Sequence, residues 1–90
     1  MFEVTDSARE ELKRIVDIQG MEEGKFLRLA TSPVWIGDGD FGVVIDKQGD
    51  DDMVVDHDGD PVLLVDPALA DHLSKSVMDF EDTRFSLDVY

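Results

Sequence analysis

Cysteine is absent from these 90 residues. That one absence excludes disulfide staples, thiolate ligation of zinc or an iron–sulfur cluster, and a cysteine nucleophile. Basic residues are scarce, at 8 against 22 acidic ones, and the formal net charge is −14. Such a chain repels nucleic-acid phosphates and anionic membrane surfaces, so neither is an expected partner. No apolar run of transmembrane length occurs, and Met1-Phe2-Glu3-Val4-Thr5-Asp6 lacks the basic-then-apolar profile of a secretion signal. The expected location is cytoplasmic. No Gly-x-Ser-x-Gly, zinc motif or phosphate loop is present, and no carboxylate pair sits in an apolar setting that would tune it. The chain is therefore read as no enzyme, with no catalytic residues, no cofactor and no assigned metal ligands.

What is present reads as one domain over residues 1–90, of the α+β class. Mostly antiparallel or mixed strands are expected with one N-terminal helix and one short helix. Glu3-Val4-Thr5 is a short strand. A helix follows, with Thr5, Asp6 and Ser7 as possible N-caps, and Ser7 with Glu10 fits a capping box. Ala8, Leu12, Ile15 and Val16 form its buried stripe, Glu10 and Arg14 pair one turn apart, and Gly20 ends it. Phe26-Leu27-Arg28-Leu29 alternates as a strand, with Leu27 and Leu29 on one face. Phe41-Gly42-Val43-Val44-Ile45-Asp46 is another.

Asp58-Gly59 between two β-branched runs signals a two-residue hairpin turn. Residues 62–65 are all apolar, which predicts a strand covered on both faces. Asp66 then caps a short helix opened by Pro67, with Leu69 and Leu73 on its buried side. Residues 77–82 are extended, with Met78 and Phe80 facing the interior. Phe85, Leu87 and Val89 alternate in a half-buried final strand.

Several of these segments, in this order and spacing, resemble the HesB/IscA family, the A-type iron–sulfur carriers. Val4-Thr5-Asp6-Ser7-Ala8 is similar to the family's Leu-Thr-x-x-Ala helix start, and Phe26-Leu27-Arg28-Leu29 to its Leu-Arg-Val strand. Asp60-Pro61-Val62-Leu63-Leu64-Val65-Asp66 resembles its Gly-Val-x-Val-Val-Val-Asp segment. Val77-Met78-Asp79-Phe80 resembles its Ile-Asp-Tyr strand, and Arg84-Phe85-Ser86-Leu87 its Gly-Phe-x-Phe strand. The resemblance implies a HesB-like fold and self-association. It does not carry over the cluster ligands. A gap-free count from Arg28 puts the family's loop cysteine at Ile36, where the text is Val34-Trp35-Ile36-Gly37-Asp38-Gly39. The family's Cys-Gly-Cys tail has no counterpart before Tyr90.

Function is expected to lie in protein contacts made by residues 33–41, with Trp35, Ile36, Asp38, Asp40 and Phe41 as candidates. Trp35 reads either as an aromatic anchor for a partner or as a lid over the core. Two other readings stand beside this one. Asp50-Asp51-Asp52 and Asp56-His57-Asp58-Gly59-Asp60 could hold a hard cation through oxygen ligands. However, a calcium loop of the EF-hand kind starting at Asp56 needs glycine and glutamate where Pro61 and Pro67 stand. His57 and His72 have no defined relative spacing and read as ordinary exposed or partly packed side chains. Alternatively, the acidity is an adaptation to salt in a structural subunit that pairs with another chain.

Overall fold

The computed structural model describes residues 2–31, Trp35 and residues 41–89. Among the described residues nine elements run β1 (Glu3–Val4), α1 (Asp6–Gln19), β2 (Lys25–Thr31), β3 (Phe41–Lys47), β4 (Met53–His57), β5 (Asp60–Val65), α2 (Pro67–His72), β6 (Ser76–Glu81) and β7 (Arg84–Val89). The strands form two sheets, one ordered β3-β2-β5-β4 and the other β1-β6-β7. The class is α+β, as the sequence predicts.

The first sheet is built around β5. It pairs antiparallel with β4 and parallel with β2, so it is an interior strand. Residues 62–65 are accordingly at most 1% exposed, and each contributes roughly 1.5–3 kcal/mol relative to an exposed side chain. Asp58 and Gly59, with φ of 52° and 87°, turn β4 into β5 as the Asp-Gly pair predicts. Pro61 sits inside β5, where it can donate no ladder hydrogen bond. The β4–β5 register shifts at Val55/Asp56, opposite it, and that irregularity accommodates the proline.

Helix α1 lays Ala8 and Leu12, both fully buried, into a core shared with Leu27, Leu29, Val55 and Met78. Ile15 and Val16 pack at its margin. Gly20 ends the helix at φ 58°, in the left-handed region glycine tolerates. Asp66 caps α2 by accepting from the Ala68 N–H at 3.0 Å.

Four expectations are corrected. Thr5, not Ser7, caps α1: its Oγ1 accepts from the Ala8 N–H at 3.2 Å, and the helix already includes Asp6, so Ser7 and Glu10 form no capping box. Arg14 is held by Glu11 at i,i+3 instead of Glu10. The strand at residues 77–82 stops at Glu81, because Asp82 and Thr83 both adopt positive φ and turn the chain into β7. Val89 is 79% exposed rather than half-buried, since β7 is an edge strand with nothing beyond it among the described residues.

Candidate functional site

Strand β2 ends at Thr31, whose carbonyl accepts the Trp35 N–H at 2.9 Å. The chain returns as β3, pairing Phe41 with Thr31 and Gly42 with Ala30. The Trp35 ring lies directly over Gly42. A methyl group built on Gly42 would come within 2.5 Å of three ring carbons, so only glycine leaves space for the indole there. Trp35 is half-buried.

Around this ring lies an open, mainly apolar groove of 670 Å³. Trp35, Phe41, Gly42 and Val43 form one wall; Met78, Arg84, Phe85 and Ser86 form the other. The groove thus joins the start of β3 in one sheet to the start of β7 in the other. Met78 is fully buried and forms part of the lining, while Phe41, Val43 and Phe85 are half-buried. Phe85 meets Phe80 edge-on, with ring centroids 5.0 Å apart and planes at 60°, an arrangement favourable for aromatic pairs.

Of the residues expected to act, Trp35 and Phe41 are brought together here. Ile36, Asp38 and Asp40 lie outside the described residues. The wall formed by Met78, Arg84, Phe85 and Ser86 escaped the sequence reading. Period-two alternation placed Phe85 on an apolar face but carried no signal that this face meets Trp35.

No family profile matches the chain, and no curated protein matches it either. Solved structures do. Over 98% of this chain and 79% of theirs, the coordinates of Escherichia coli SufA, described as involved in biosynthesis of iron–sulfur clusters, superpose with a TM-score of 0.62 at 22% identity. A solution structure of an Aquifex aeolicus protein gives 0.62 at 22% identity, over 99% of this chain and 89% of that one. IscA with a [2Fe-2S] cluster gives 0.56 at 20% identity, over 99% and 85%. The fold is HesB/IscA-like.

The donor set of this HesB/IscA-like chain does not fit a cluster. It has no cysteine, and among the groove's lining residues the only sulfur is the thioether of Met78. Iron–sulfur clusters are held by thiolates, which a buried thioether and aromatic carbons do not replace.

The acidic segment is engaged differently from a cation site. Among the described residues no three histidine or carboxylate side chains converge as metal donors. Asp52 receives both terminal nitrogens of Arg28, at 2.8 and 2.6 Å, and the Gly49 N–H at 2.5 Å. Its carboxyl is held below the usual aspartate value, first by the guanidinium hydrogen bonds and then by the Gly49 N–H and the charge of Arg28, which outweigh desolvation. Arg28 also donates from Nε to Asp46 at 3.0 Å and from Nη2 to the Lys47 carbonyl at 2.9 Å. Asp60 lies 3.4 Å from Lys13 Nζ. His57 lies 3.6 Å from the exposed Asp58 carboxylate in the hairpin turn. No helix among the described residues is long and apolar enough to cross a membrane.

Proposed function

We propose that this chain is a HesB/IscA-like binding or accessory protein, acting beside iron–sulfur cluster assembly through protein contacts and not as a thiolate cluster carrier. The observation that carries this reading is the groove around Trp35, built on a fold shared with SufA and IscA in a chain that has no cysteine. Half-buried aromatics in a groove are the groups that anchor protein partners, because they desolvate large apolar area at low entropic cost. On this reading the 90 residues form one HesB-like unit in the cytoplasm, it is not an enzyme, and its contact residues are Trp35 and Phe41 with the neighbouring Ile36, Asp38 and Asp40.

Two experiments test it. Anaerobic reconstitution with iron and sulfide, followed by desalting, leaves no visible charge-transfer band; a retained band overturns the claim that this chain carries no cluster. Affinity capture from the native cytoplasm recovers iron–sulfur assembly proteins with the wild type and loses them with Trp35→Ala at unchanged melting temperature. Recovery of the same proteins by both forms removes the groove as the contact site.

A further inference from the structure

The two sheets meet along two flanks. On one, β3 and β7 border the groove. On the other, β1 faces β4 across an open slot of 480 Å³, lined by Phe2, Glu3 and Val4 on one side and by residues 53–56 on the other. Among the described residues no ladder pairs β1 with β4. Arg9, in the first turn of α1, also lines this slot. It donates from Nε to the Val4 carbonyl at 3.1 Å and from Nη1 to the Asp56 carbonyl at 2.6 Å. One side chain therefore bonds the end strand of each sheet.

Strand geometry turns both acceptors toward the slot. The Thr5 N–H donates to the Met78 carbonyl, so the alternation of the β1–β6 ladder leaves the Val4 carbonyl facing away from β6. In the β4–β5 hairpin, His57 and Asp60 flank the two-residue turn as a hydrogen-bonded pair, which leaves the Asp56 carbonyl facing away from β5. A guanidinium is a rigid planar fork, so holding both carbonyls fixes the distance between them. Phe2, Val4 and Val55, which line the same slot, are all buried, and parting this flank exposes them to water. Lys13, one turn later on α1, reaches Asp17 and Asp60 and makes no bond to β1, so it ties the helix to one sheet only.

We propose that Arg9 is a latch between the sheets: it holds β1 against β4 and confines movement of one sheet relative to the other to the groove flank. The groove has walls from both sheets, so its width follows their relative orientation. With the β1–β4 flank held, a rotation of the sheets pivots there and its displacement falls at β3 and β7. Arg9 does not line the groove and acts on it only through the sheets. The latch is independent of what the groove binds.

The test exploits the absence of cysteine. Val55→Cys puts a single thiol in the slot, at a position 3% exposed. Alkylation by iodoacetamide, a neutral reagent, reads how often the slot opens, and acrylamide quenching of Trp35, the one tryptophan, reads the groove. Adding Arg9→Gln speeds alkylation about tenfold, with a urea dependence weaker than that of global unfolding, and leaves quenching unchanged. Arg9→Lys, whose ammonium is a point charge and not a fork, gives most of the same rise, and Lys13→Gln gives none. An unchanged alkylation rate with Arg9→Gln overturns the latch. A rise with the urea dependence of global unfolding, or an equal rise with Lys13→Gln, also overturns it, since either makes Arg9 a general contributor to stability. Quenching that increases in step with alkylation shows the two flanks opening together and overturns the confinement to the groove. If Arg9→Gln does not fold, Arg9→Lys carries the same comparison.

Discussion

Removing the Asp52 carboxylate tests whether one ion-paired cluster holds the sheet's outer corner together. In Asp52→Ala, Arg28 loses two of its four hydrogen bonds and the Gly49 N–H loses its acceptor. Only 5% of the Asp52 side chain and 17% of the Arg28 side chain are exposed, so water replaces these partners poorly. Breaking one side of a buried pair costs roughly 3–5 kcal/mol. Arg28 keeps Asp46 and the Lys47 carbonyl, both at the surface, which lowers the expected loss to about 2–3 kcal/mol. Urea unfolding near neutral pH, followed by far-ultraviolet circular dichroism, measures it. Asp52→Asn keeps the shape but turns an amide group toward donors, and it loses most of the same stability. The pH dependence identifies the cause. The folded carboxyl titrates below its unfolded value, so its contribution is complete above the ordinary aspartate value near ~3.9 and is lost as pH falls through the lowered folded value. The gap between wild type and Asp52→Ala therefore narrows as pH falls below about 4. A gap of the same size on both sides of that window, or a loss below about 0.5 kcal/mol at neutral pH, would refute the reasoning.

Gly42→Ala pushes a methyl group into the Trp35 ring; it costs about 1–3 kcal/mol and shifts the emission of the protein's one tryptophan, which fluorescence melts record. Thr83→Gly relieves a β-branched residue at φ 67° and completes an Asp-Gly turn, so chemical denaturation shows a gain of roughly 0.5–1 kcal/mol. Raising potassium chloride screens a net charge of −14, so the melting temperature of the wild type rises by a few degrees (about 4–8 °C for each kcal/mol); a melting temperature indifferent to salt would remove self-repulsion as a factor.

The parts of the fold legible in the sequence are those set by local chemistry. The Asp58-Gly59 turn, the Asp66 cap, the Gly20 stop and the buried run at residues 62–65 each follow from one residue's backbone preference or from an uninterrupted apolar string. Local chemistry left other features ambiguous. Three adjacent cap-competent residues, Thr5, Asp6 and Ser7, compete, and tertiary packing selects Thr5: its N–H donates to the Met78 carbonyl and its Oγ1 to Asp79 at 2.6 Å, fixing it outside the helix. The Asp82-Thr83 turn was hidden because threonine rarely adopts positive φ. The Arg28 cluster was hidden because Asp46 and Asp52 lie 18 and 24 residues away. The candidate site was half visible. Trp35 and Phe41 stand near each other in the chain, whereas Met78 and Phe85 reach them only through the packing of two sheets.

That same separation accounts for a HesB/IscA-like fold without thiolates. The side chains that hold the chain together are Ala8, Leu12, Leu27, Leu29 and residues 62–65, and none of them lines the groove. Met78 is a fully buried core residue that also floors the groove, and Phe41, Val43 and Phe85 line the groove while packing against the core's margin. The remaining walls are half-buried or exposed, so changing their chemistry forfeits little of the buried area that stabilises the domain. The groove's lining can then change its chemistry while both sheets remain folded, because the lining and the fully buried core draw largely on different residues. This makes a sharp division of effects: Leu29→Ala, deep in the core, costs about 2–5 kcal/mol whatever occupies the groove, whereas Phe41→Ala weakens partner capture at a small cost in stability. If Phe41→Ala proved as destabilising as Leu29→Ala in urea, the groove would be part of the core and the two would not be independent.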